Sequence, residues 1–92
     1  MNEGRVAKLK EKGWKCLQSE DFDKAANFYK RATKLNPDDA EAWYFRAFCY
    51  MFDYDDEKAL ECVNKALSLE KQKYLEFIKF KEYIEREMQK EK

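Results

Sequence analysis

The chain has 92 residues, with 19 Lys and Arg balanced by 19 Asp and Glu, and no histidine. Zero formal charge excludes a bulk basic field for nucleic acid or anionic lipid, and the missing histidine excludes His-based acid–base chemistry, His metal sites and His pH switching. Hydrophobic residues reach 45%, among them seven Phe, six Tyr and two Trp, which is too apolar for a disordered chain and suits one small globular domain.

Gly4, Gly13 and Pro37 are the only glycines and proline, too little punctuation for a many-turned β protein. Good helix formers dominate instead, and the pattern predicts an all-α chain of about five helices. The first spans about 3–18 and ends at the polar break 19–23, where Ser19, Asp21 and Asp23 offer N-caps. The second, about 22–35, carries Ala25, Tyr29, Ala32 and Leu35 at helical spacing. Asn36, Pro37, Asp38 and Asp39 interrupt it. The third is predicted over about 38–52, with Asp39 just inside its start, where negative charge is favoured.

A third break at 53–56 leads to a fourth helix, about 55–69, with Ala59, Val63, Ala66 and Leu69 on one side. Asp53, Asp55, Asp56 and Glu57 read as capping residues, because a calcium loop also needs a glycine turn and a distant Glu. The last helix is expected over about 71–92. Tyr74, Phe77, Ile78, Phe80, Ile84 and Met88 give it an apolar side, and its polar tail ends the chain. A turn near Glu70 is expected, since one continuous helix would place Glu70 and Lys81 on the apolar seam.

Cys16, Cys49 and Cys62 are odd in number and lack paired spacing, so neither a disulfide framework nor a zinc site is expected. Cys16 and Cys62 read as buried small apolar groups; Cys49 lies between two faces. No apolar h-region and no long apolar run occur, so the expected compartment is the cytoplasm. Neither a cofactor nor enzymatic activity is expected: no nucleophile has a base and no phosphate loop occurs.

The apolar sets of the second and fourth helices are one pattern displaced by 34 residues. Gly13 with Ala47, Leu9 with Trp43, Lys24 with Lys58 and Ala26 with Leu60 share that offset. This period in helix-turn-helix units resembles the tetratricopeptide repeat. A first copy at about 6–39 matches through Gly13, Phe22, Ala25, Tyr29, Ala32 and Pro37. The second, at about 40–73, matches through Trp43, Ala47, Tyr50, Ala59 and Ala66. It departs at Arg46, where the pattern expects Leu, at Val63, where it expects an aromatic, and at Lys71, where it expects Pro. The resemblance implies one TPR-like α-solenoid domain over 1–92, with the last segment acting as a capping helix.

It also implies a concave groove lined by the first helix of each unit. The groove positions map to Ala7, Lys10, Trp14, Leu17 and Gln18, then Glu41, Tyr44, Phe48, Met51 and Phe52, then Leu75, Ile78 and Glu82. Spacing independently gives Tyr44, Phe48, Met51 and Phe52 a face of their own. The third helix is thus apolar over most of its circumference and needs cover on two sides. Trp14, Leu17, Tyr44, Phe48, Met51 and Phe52 are therefore the expected partner-binding residues.

Three covers are open: the last helix, an apolar peptide or helix of a partner protein, or a second copy of the chain. The first choice is a non-enzymatic protein-interaction scaffold, with a structural self-assembly unit as the alternative. An RNA-binding module, suggested by aromatics near Lys10, Lys15 and Arg46, is set aside on charge; neither nucleic acid nor membrane is an expected partner. The carboxylate clamp of chaperone-binding members is also set aside. Its positions map to Lys10, Trp14, Phe45, Leu75 and Lys79, which leaves two cations of five.

Overall fold

In a computed structural model that describes residues 2–70 and 74–90, five helices follow one another: α1 (Asn2–Gln18), α2 (Phe22–Leu35), α3 (Ala40–Phe52), α4 (Asp56–Leu69) and α5 (Tyr74–Lys90). The described residues contain no strand. The side chains of Tyr74 and Phe77 lie outside the described set, as do residues 71–73, 91 and 92. Lys71, where the repeat pattern expects Pro, is among them.

The chain breaks are built from local chemistry that recurs at the 34-residue offset. At the end of α1, Glu20 donates its N–H to Leu17 O, and Asp21 donates to Cys16 O at 2.9 Å. At the end of α3, Tyr54 donates to Met51 O, and Asp55 donates to Tyr50 O at 2.8 Å. Both are Schellman-type closures, in which the residue after the helix adopts the left-handed conformation. Glu20 and Tyr54 each have φ of 61° and neither is glycine. The next residue in each case caps the following helix: the Asp21 carboxylate accepts from Lys24 N–H at 3.3 Å, and that of Asp55 from Lys58 N–H at 3.2 Å.

The break before α3 differs. The Asn36 side chain accepts from Asp38 N–H, and Pro37 O accepts the Trp43 indole N–H at 2.8 Å. Asp39 is the N-cap, its carboxylate accepting from Ala42 N–H, so α3 starts at Ala40 and not at 38 as the sequence predicted. The first interior position thus falls to an alanine, because Asp39 gains more by satisfying an orphan N–H outside the helix. α4 stops at Leu69. Glu70 has extended backbone (φ −128°, ψ 96°) and donates its N–H to Ala66 O, which establishes the turn.

Each helix packs on the next: α1 on α2, α2 on α3, α3 on α4, and α4 on α5. The Cα envelope measures 44 × 29 × 17 Å, and its short dimension allows two helix layers. Alanines make the close approaches possible. Ala25, Ala32, Ala42, Ala47, Ala59 and Ala66 are all fully buried. Gly13 serves the same end: a Cβ there would stand 2.7 Å from the Tyr29 ring.

Two apolar clusters result. One joins Val6, Leu9, Ala25, Tyr29, Ala32, Ala42 and Cys49; the other joins Tyr44, Ala47, Ala59, Cys62, Val63, Ala66, Phe80 and Ile84 with Ala40 at its edge. α5 therefore acts as a cover, placing Phe80 and Ile84 over α3 and α4. The thiols divide as well: Cys49 and Cys62 are buried, whereas Cys16 is only half-buried, less than the sequence suggested. Burial pushes the Cys49 thiol up to about 12 and the Cys62 thiol up to about 11.

Candidate functional site: the aromatic face of α1 and α3

α3 carries Trp43, Tyr44, Phe45, Phe48, Tyr50 and Phe52 within thirteen residues. Among the described residues, four from other helices bring rings to them. Trp14 of α1 meets Phe45 edge-on at 5.7 Å between centroids, and Tyr29 of α2 stacks on the same ring at 5.7 Å. Phe45 continues to Phe48 at 5.9 Å, Phe48 to Phe52 at 6.0 Å, and Phe52 stacks on Phe22 at 5.2 Å. A ladder of rings thus runs from α1 along α3 to the start of α2. Such pairs add about 0.5–1.5 kcal/mol each beyond burial, so the ladder is stiff as well as apolar.

α5 covers part of it. Phe80 packs on Phe48 at 4.3 Å and on Tyr44 at 5.2 Å. The Tyr44 hydroxyl is also hydrogen-bonded to Glu76 of α5; burial first, then that carboxylate, pushes the phenol up to about 12. Tyr44 is buried. Its ring belongs to the core and offers no face to a partner, contrary to the sequence expectation, because the last helix lands on it.

The six expected residues therefore fall into three groups. Trp14 (46% exposed) and Phe52 (45% exposed) remain open to solvent. Leu17, Phe48 and Met51 are half-buried: Leu17 packs on the α1–α2 cluster, Phe48 and Met51 on the α3–α5 cluster. Tyr44 is covered. Phe45 is the residue sequence reasoning passed over, having met it only as a position in the rejected clamp. Its spacing with Phe48 and Phe52 at i, i+3 and i+7 was the available signal.

Beside the open end, Ala7, Lys10, Glu11, Trp14, Glu41 and Phe45 frame an open cavity of about 400 Å³ with Tyr29 in its floor. A smaller one of about 220 Å³ lies past Phe52, between Met51, Tyr54, Tyr83 and Glu87. Lys10 is not free to receive a partner's carboxylate. Its ammonium lies 3.0 Å from Asp39 and 2.9 Å from Glu41. Partial burial alone would lower its pKa, but the hydrogen bonds to Glu41 and Asp39 outweigh that and raise it. The same Asp39 carboxylate caps α3, so one charge ties α1 to the start of α3.

Among the described residues no group of His, Cys, Asp and Glu could hold a metal ion, and no helix is long and apolar enough to cross a membrane. The profile of the tetratricopeptide repeat matches residues 17–75, more than half of the chain. That span runs from the last residues of α1 to the start of α5. Repeats of this family generally serve as non-enzymatic modules that bind proteins or peptides. By the match and by its consecutive helix packing, the chain belongs to the tetratricopeptide-repeat family.

Proposed function

We propose that the chain is a non-enzymatic protein-interaction scaffold, whose α1–α3 face holds an apolar segment of a partner protein. Trp14 and Phe52 anchor that segment, Phe45 and Phe48 form the floor between them, and Leu17 and Met51 flank it. One observation carries this reading: Trp14 stands half-exposed over an open, largely apolar cavity while a ladder of rings holds it in place. A large aromatic left in water forgoes stabilisation of roughly 1 kcal/mol or more, and rigid aromatics at the centre of a patch are the side chains that dominate interfaces.

Selection from a displayed peptide library tests the reading. Enriched peptides should be rich in apolar and aromatic residues and poor in acidic ones, since Lys10 is already paired. Failure to enrich any family of sequences, or enrichment of acidic peptides, would contradict it. A second reading is a self-assembling unit burying the same face. Tyr83 of α5, 44% exposed, favours it by extending the apolar surface beyond Met51 and Phe52. Sedimentation over a hundredfold concentration range separates the two: a constant monomer mass removes self-assembly, and a rising mass that Trp14→Glu abolishes supports it.

A further inference from the structure

On the other side of α3 lies a second arrangement that the apolar face does not use. At 3.6 residues per turn, Trp43, Arg46 and Tyr50 form a stripe roughly opposite Phe48. The Arg46 guanidinium lies beside both rings: its carbon is 5.0 Å from the Trp43 ring centroid and 5.6 Å from that of Tyr50. Nε donates to the Tyr50 hydroxyl and Nη1 to Thr33 Oγ1, both at a long 3.4 Å. Guanidinium carries five N–H donors, so most of its donor capacity is unspent among the described residues. No carboxylate of a described residue lies within ion-pair distance of this half-buried charge.

The surroundings add charge of the same sign. Arg46 lies in the floor of an open cavity of about 430 Å³, between α2 and α4, with Lys30, Lys58 and Lys65 on its walls. Glu61 also lines it, and Lys58 is drawn toward Asp55 at 3.6 Å as well as toward the Tyr50 ring at 5.7 Å. Four cations therefore share one concavity with a single lining carboxylate. Aromatic rings attract such cations but do not neutralise them. A charge held away from bulk water without a counterion is costly unless a ligand supplies one.

We infer that this cavity is an anion site for a phosphoryl group, with Arg46 as the bidentate ligand and Lys30, Lys58 and Lys65 as its neutralising ring. A phosphomonoester dianion matches the surplus better than a lone carboxylate, and the planar guanidinium fork suits its oxygens. The group can arrive on a phosphorylated side chain of a partner or as a free phosphate ester. The site is separate from the aromatic face and stands whether or not that face binds an apolar segment.

The test follows the Arg46 Nε–H and Trp43 indole N–H resonances of the labelled full chain. Titrants are inorganic phosphate, a short phosphoserine peptide, its Glu-substituted twin and an oligouridylate. Saturable shifts are expected with phosphate and phosphopeptide, weakened about tenfold or more by Arg46→Leu. Leucine suits the apolar flank of Trp43 and Tyr50, so that variant should keep the helical fold, and Lys65→Glu gives an independent weakening at an exposed position. Tighter binding of the phosphopeptide than of phosphate assigns the group to a partner's side chain; equal binding assigns it to a free ester. The inference is overturned by no saturable shift up to tens of millimolar, by equal binding of the Glu twin, by tighter binding of the oligouridylate, or by folded variants that bind like the native chain.

Discussion

Phe80 of α5 rests on Phe48 of α3 with ring centroids 4.3 Å apart and planes at 64°. This contact decides how much of the aromatic ladder the chain keeps for itself. Below it Tyr44 is sealed; beyond it Phe45, Trp14 and Phe52 stay accessible or nearly so. Phe80→Ala should therefore destabilise the fold by about 3 kcal/mol, since the ring is buried and its neighbours cannot collapse onto alanine. Chemical denaturation measures the loss. Hydrogen exchange should accelerate in α5 more than in α1, where no contact with Phe80 exists to be broken.

The two glycines give opposite expectations from one substitution. Gly13→Ala places a methyl 2.7–3.0 Å from the Tyr29 ring, which is itself almost fully buried and stacked on Phe45. The ring must move, so a net loss of about 1–2 kcal/mol is expected despite the better helix propensity. Gly4→Ala meets nothing within 4 Å and should gain up to about 1 kcal/mol. Paired denaturation curves compare the two directly.

Tyr54 is 86% exposed and sits at φ 61°, closing the end of α3 in a conformation that suits glycine. Tyr54→Gly relieves the left-handed strain of about 1–2 kcal/mol, less roughly 0.5–1 kcal/mol for the freer unfolded glycine. A net gain of about 0.5–1 kcal/mol follows. The midpoint of thermal unfolding should rise by a few degrees.

Much of this fold was legible in the chain. The 34-residue displacement that relates Ala25 to Ala59 and Tyr29 to Val63 reappears in space as matched closures at Glu20 and Tyr54 and matched caps at Asp21 and Asp55. These features are local, so short-range chemistry specifies them. The partner-facing set was less legible. Spacing shows that Tyr44, Phe48 and Phe80 are apolar, but not that Phe80 lands on the other two, which depends on how α4 turns at Glu70. Lys10 illustrates the same limit. Its ion pairs with Asp39 and Glu41 join residues some thirty apart, and no periodicity announces them.

Alkaline pH should weaken the chain in a defined window. Burial raises the Cys49 thiol to about 12, the Cys62 thiol to about 11 and the Tyr44 phenol to about 12, and it raises Tyr29 further. Above about pH 9 the unfolded chain releases thiol protons that the folded chain retains, so stability falls as pH climbs toward 11. Lys10 acts in the same direction: its raised pKa gives stability that is complete below the ordinary lysine value and lost above it. A decline of about 4 kcal/mol by pH 10.5 is expected from the two buried thiols alone, with a shallower slope in melts of Cys49→Ala. In thiol titration at neutral pH, half-buried Cys16 should react first, and Cys49 and Cys62 only on unfolding.

The most direct test of the proposed apolar docking face compares one selected peptide on the native chain and on Trp14→Glu. Because Trp14 is half-exposed, the substitution should shift folding stability by no more than about 1 kcal/mol. Loss of a central aromatic anchor should cost 2 kcal/mol or more, a weakening of about thirtyfold in Kd. An affinity that Trp14→Glu leaves unchanged, in a variant that melts like the native chain, would contradict the account.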